Sequence, residues 1–252
     1  MTLAAEARSS ASSNPATIPP PPFNPRSARW LWPILALCAL AALGAAAYLI
    51  DELTEGGSFR WDAAILLACR VPGHVDQTIG PRWMQTSAVD ISALGGPTLI
   101  WLLGGAGLGF MFYIGKKAEA AWLLASVVGA SLINTALKLM LHRPRPDIVP
   151  HLTYVSNASF PSGHAMISAA VYLTLGIMLA ETQVNAMARA YIVAFAGMLV
   201  ILIGCSRVYL GVHWPSDVIA GWAFGGVWAL MVFAANRVLH GAALRRPTSA
   251  IA

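Results

Sequence analysis

The sequence predicts an all-α integral membrane bundle of six transmembrane helices, with short interfacial helices in the first outer loop. Three observations predict it. The 252 residues are 57% hydrophobic and only 11% charged, and the mean hydropathy is +0.64. A soluble chain carries roughly 25% charged residues, so the bilayer is the expected solvent. The apolar residues also gather into six long runs, each near the ~20 residues a helix needs to cross the hydrocarbon core. Backbone groups in lipid must pair within their own segment, which selects helices over open strands.

Residues 1–29 come first. They are rich in Ser, Ala and Pro, with Pro19 to Pro22 in a row. Such a segment has too little apolar surface to offset its ordering entropy, so a disordered tail is expected. The apolar runs lie at 30–50, 91–114, 120–141, 162–181, 189–205 and 216–238. They define one membrane domain over 30–240, followed by a second short tail over 241–252. The first run follows a 29-residue lead and is too long for a signal-peptide core, so it reads as a retained span. Between the first two runs, residues 51–90 mix apolar stretches with Asp51, Asp62, Asp76 and Asp90. Short interfacial helices anchored by Trp61 and Trp83 are expected there.

Charge gives the orientation. One face of a six-span bundle collects the tail, Lys116, Lys117, Arg189 and the C-terminal arginines, a balance of +6; the other face balances at −1. The positive-inside rule then places both termini in the cytoplasm. The formal charge of +5 does not indicate nucleic acid, because the cations form no single exposed stripe. Cys38, Cys69 and Cys205 are odd in number and show neither disulfide nor metal spacing. Gly104-Gly-Ala-Gly-Leu-Gly109 lies inside an apolar run with no strand before it, which favours close helix packing over nucleotide binding.

Three segments at the outer ends of the spans carry the chemistry: Lys138-Leu-Met-Leu-His-Arg-Pro-Arg145-Pro146, Pro161-Ser-Gly-His164, and Ser206-Arg207 with His213 and Asp217. Charges at such depth are costly and point to function. Arg145 offers a planar fork for phosphate oxygens, Lys138 and Arg207 add positive charge, and Pro144 and Pro146 end the helix that carries Lys138. Arg143 fits a snorkelling side chain equally well. Ser162 and the Gly163 amide stand at a helix N-terminus that favours anions, although a serine there is also an ordinary cap. His164 is placed to donate a proton. His213 and Asp217 share a helix face, so Asp217 can hold one imidazole nitrogen and leave the other free to attack phosphorus. Two residues capping that helix is the competing reading. Ser206 is a secondary phosphate-binding candidate beside Arg207.

In order and spacing the three segments resemble the signature of the type-2 phosphatidic acid phosphatase family, the lipid phosphate phosphatase and haloperoxidase superfamily. The resemblance runs from about Ala120 to Val238 and is closest to the bacterial integral membrane branch. It implies a phosphatase of the plasma membrane with its site on the outer face. It implies His213 as the nucleophile that forms a phosphohistidine, Asp217 as its partner, and His164 as acid and then base. Lys138, Arg145, Arg207, Ser162 and Gly163 would hold the phosphate, and neither metal nor other cofactor is implied. The expected partners are a lipid phosphate and the bilayer, with undecaprenyl diphosphate first and phosphatidylglycerol phosphate and phosphatidate next. Three alternatives stay open: a vanadium haloperoxidase, a lipid phosphotransferase, and a lipid or anion transporter. The sequence fixes no oligomeric state.

Overall fold

The computed structural model describes residues 31–54, 59–155 and 158–243. Expectations for residues 1–29 and for most of the C-terminal tail lie outside them. The elements are α1 (Leu31–Thr54), α2 (Arg60–Ala68), β1 (Arg70–Val71), β2 (His74–Thr78), α3 (Arg82–Leu94), α4 (Pro97–Tyr113), α5 (Lys117–Leu141), α6 (Gly163–Glu181), α7 (Ala186–Tyr209) and α8 (Pro215–Ala243). Among the described residues, α5, α6, α7 and α8 are long and apolar enough to cross a membrane, and the bent pair α3–α4 makes a fifth span if taken together. The first expected span coincides with α1, which packs on α8.

The centre of the bundle is α6, which packs most extensively on α8 and α7. Small residues allow it. A side chain added at Gly225 would meet the Met166 carbonyl at 2.2 Å, and one at Gly221 would meet Ala165 Cβ at 2.9 Å. With no difference in hydrophobicity between helix and lipid, such close backbone approach is a main source of association. Polar groups tie the neighbouring face. Ser126 Oγ donates to the Ala170 carbonyl at 3.0 Å and lies 3.0 Å from Thr174 Oγ1, joining α5 to α6. The glycine run packs as expected in part. Gly104 and Gly107 sit against Val127 and Leu123 of α5, whereas Gly105 and Gly109 face open space.

Two expectations need correction. The second apolar run is not one helix: it breaks at Gly95-Gly96 with a 44° bend between α3 and α4. A Cβ at Gly95 would lie 2.4 Å from Ile203 and 3.3 Å from the His164 carbonyl, so the break brings this backbone against α6 and α7. Pro97 starts α4 at its first turn, and Tyr172 Oη donates to the Leu94 carbonyl left open at the bend. The loop 51–90 is not merely interfacial either. It contains an antiparallel hairpin, β1–β2, and its α2 is docked inward. Leu66 is fully buried with Val149, Ala165, Val208 and Val218. Arg70 donates to the Tyr209 carbonyl at 3.0 Å, and a side chain on Gly211, at φ +75°, would strike its guanidinium. Trp61 and Trp83 do remain exposed.

Candidate active site

The C-terminal ends of α5 and α7 and the N-terminal ends of α6 and α8 meet at a cavity of about 360 Å³ whose lining includes Lys138, Arg145, Gly163, His164, Arg207 and His213. Each arrives by a local rule. α5 stops at Leu141 because Pro144 cannot continue it, and His142 turns the chain in the left-handed region at φ 44°. Arg145 then folds back over the helix end, where it donates to the Val212 carbonyl and lies 3.2 Å from His213 Nε2. Lys138, in the last turn of α5, donates to the Ala158 carbonyl at 2.7 Å. Arg207, in the last turn of α7, donates through Nη1 to Ser92 Oγ.

α6 begins at Gly163 with Ser162 in the cap position, yet the serine makes no cap bond. Its hydroxyl is buried, and no described residue serves as its hydrogen-bond partner. The ordinary-cap reading therefore fails, and a donor remains for an incoming oxygen. A Cβ at Gly163 would approach Asn134 Oδ1 to 3.1 Å, so the glycine keeps the backbone open at the cavity wall.

His213 is 2% exposed and Asp217 fully buried. Nδ1 of the imidazole faces Asp217 Oδ2 at 3.4 Å, and Nε2 points toward Arg145. With Nδ1–H directed at the carboxylate, Nε2 keeps its lone pair, and the Arg145 guanidinium can donate to it. The capping reading is also true of Asp217. Its Oδ2 accepts the Trp214 backbone N–H at 2.9 Å, the reach of an acidic N3 residue back to its N-cap. Ser159 Oγ donates to the same oxygen. Burial draws the His213 imidazole down to about 4. The Asp217 hydrogen bond and charge oppose that fall, and Arg145 and Arg207 add to it. Burial likewise lowers the Arg145 guanidinium, against the pull of Asp217.

Two secondary candidates sit elsewhere. The hydroxyl of Ser206 donates to the Ile203 carbonyl of its own helix at 2.7 Å, so it is not directed at a substrate. Arg143 neither snorkels nor lines the cavity. It is buried behind His213, bridging Asp217 and Asp62. Several residues of the site escaped the sequence reading: Asn134, Ser92, Ser159 and Asp62. Asn134 had a usable signal, since it is a polar residue in an apolar run four positions, about one helical turn, before Lys138. The other three come from loops or other elements, with no spacing that ties them to the motifs.

The PAP2 superfamily model matches residues 119–239, the segment that carries all three motifs. Phosphatidylglycerophosphatase B of Bacillus subtilis is 36% identical over 146 residues, covering 57% of this chain and 70% of that protein. The chain belongs to the PAP2 superfamily. Lipid A 1-phosphatase of Rhizobium etli is 32% identical over 149 residues, covering 53% of this chain and 60% of the relative. Among solved structures, the transmembrane PAP2-type phosphatidylglycerolphosphate phosphatase of Bacillus subtilis superposes with a TM-score of 0.66 at 28% identity, covering 81% of this chain and 96% of that one. These PAP2 relatives are lipid phosphatases, and this chain is a multi-pass membrane protein like them.

Proposed function

We propose that this PAP2 protein hydrolyses a lipid phosphate or diphosphate at the outer leaflet through a phosphohistidine on His213. The observation that carries the reading is the placement of His213 Nε2, held from behind by Asp217, beside Arg145 in a cavity also walled by Lys138, Arg207, Gly163 and His164. The Nε2 lone pair attacks phosphorus, and the bond to the bridging oxygen breaks. His164 gives its proton to that oxygen, so the group leaves as the alcohol or as the singly protonated lipid monophosphate. His164 then takes a proton from water, whose oxygen attacks the phosphohistidine; inorganic phosphate forms and Nε2 regains its lone pair. Lys138, Arg145 and Arg207 spread positive charge around the equatorial oxygens throughout, with Ser162 and the Gly163 amide as neutral donors.

The apolar part of the lining, Pro97, Ile100 and Ile167, lies next to these cations and suits a lipid whose head group carries the phosphate. Undecaprenyl diphosphate is the first substrate to test. Phosphatidylglycerol phosphate stands beside it because of the Bacillus subtilis relative. The chemistry assigned here uses no metal. The test is phosphate release by the purified protein from both lipids with chelator present. Activity in chelator, abolished in His213→Ala together with a trapped phosphoprotein, is expected. A His213→Ala protein with wild-type turnover refutes the nucleophile, and loss of activity in chelator refutes metal independence.

A further inference from the structure

Behind His213 lies a buried chain of charge whose far end, Asp62, lies outside all three motifs. Asp62, in the first turn of α2, is 1% exposed. Its Oδ1 accepts the Ser216 N–H at 2.8 Å, and its Oδ2 accepts the Ser216 hydroxyl and, at 2.9 Å, Arg143 Nη2. The other arm of the same guanidinium, Nη1, donates to Asp217 Oδ1 and to Ser216 Oγ, the latter at 2.7 Å. The Trp214 ring covers the guanidinium, 5.6 Å from its centroid. Asp62 lies outside residues 119–239, which the family model matches, and reaches the site only because Leu66, one turn along the same face of α2, is buried among α6, α7 and α8.

The arrangement has an electrostatic consequence. An arginine paired with Asp217 alone would neutralise it, and a neutral pair gives little support to positive charge developing on His213. With a second carboxylate on the far side of the arginine, the trio carries a formal charge of −1. The fork of Arg143 also fixes Oδ1, so that Oδ2 stays turned toward Nδ1.

We propose that Asp62 is a positioning residue: acting through Arg143, it fixes the orientation of Asp217 and preserves the negative charge that Asp217 presents to His213. The inference rests on the phosphatase reading and deepens it. It assigns to the first outer loop a part in the chemical step rather than in substrate choice.

The test uses full-length protein in detergent micelles with undecaprenyl diphosphate and phosphatidylglycerol phosphate. Four forms are compared: wild type, Asp62→Asn, Asp217→Asn and the double variant. Partners that orient metal-ligating histidines from behind are worth about 10–100-fold when removed, and the same scale is expected for a partner that orients an attacking histidine. Asp62→Asn is expected to lower kcat at least tenfold with KM within about twofold, because the phosphate ligands are untouched. The double variant is expected to be no slower than Asp217→Asn alone, since both changes break one path. A purely structural role would instead lower the melting temperature and the amount of active enzyme, leaving the kcat of folded protein intact. Should Asp62→Asn fail to fold, Arg143→Lys, which keeps the charge and loses the fork, is read by the same criteria. Unchanged kcat in the variant, a loss confined to KM, or losses that multiply in the double variant overturns the inference while an active wild type keeps the phosphatase reading. A wild type inert on both lipids overturns that reading, and this inference with it.

Discussion

At the scale of single residues, the site separates groups that face the cavity from groups that set their state. His213 presents Nε2 to the cavity and Nδ1 to Asp217, and burial holds it down to about 4. An imidazole usually titrates near 6.5. The neutral, attacking form should therefore persist as pH falls through 6.5, and activity should be lost only as pH drops through about 4. The acid limb of kcat/KM that reports His213, corrected for ionisation of the substrate itself, is expected below about pH 5. An acid limb centred at 6.5 that is assigned to His213 would contradict a buried neutral nucleophile. Arg143 gives the lesson in reading such residues. A basic side chain two positions from Arg145 fits a membrane boundary or a phosphate ligand equally well by sequence, and in the fold it is neither. Its two carboxylate partners come from α2 and α8, which no local pattern links to it.

At the scale of elements, the helix ends hold the chemistry and the helix faces hold the ends in place. The α6–α8 contact has little tolerance because backbone meets backbone there: Gly225 faces the Met166 carbonyl and Gly221 the Ser162 carbonyl. A larger side chain at 225 must push the helices apart, and overpacking typically costs about 1–3 kcal/mol. Gly225→Val is expected to lower the melting temperature in detergent and, by shifting Gly163 and His164, to reduce turnover. Gly105→Ala is the contrast: nothing lies within 4 Å of its added methyl. Replacing a helical glycine by alanine is worth about 1 kcal/mol. Its melting temperature should hold or rise, and an equal loss in both variants would remove the packing argument. Four of the apolar runs coincide with α5 to α8, the helices long and apolar enough to cross a membrane among the described residues, because length and hydropathy report helices directly. The break at Gly95-Gly96 was not legible, because two glycines inside an apolar run also fit an unbroken packed helix. What decides it is close approach to Ile203 and His164, contacts remote in sequence.

At the scale of the whole molecule, a multi-pass bundle places the loop after α5 and the loop after α6 on opposite sides of the membrane. We propose from the charge balance that the first of them, with the site, faces the outside. In a chain whose Cys38, Cys69 and Cys205 are replaced by serine, a thiol is introduced at Tyr154 or at Val184, both well exposed. A membrane-impermeant maleimide added to intact cells should label Tyr154→Cys at once and Val184→Cys only after permeabilisation. The reverse pattern would put the cavity in the cytoplasm. The loop of residues 51–90 belongs to this scale as well. It docks Leu66 and Arg70 against the ends of α7 and α8 and so delivers Asp62 behind the site.

Composition and spacing were enough for the class of molecule and for the six motif residues that line the cavity. Hydropathy along a chain reports which segments prefer lipid, and the motif residues lie close to one another within each segment. The company those residues keep depended on folding in three dimensions. Asp62 lies 81 positions before Arg143, and Ser92 lies 115 before Arg207. Such pairings are made by tertiary packing, which brings together groups that no sequence period relates, and they settle the charge and orientation under His213.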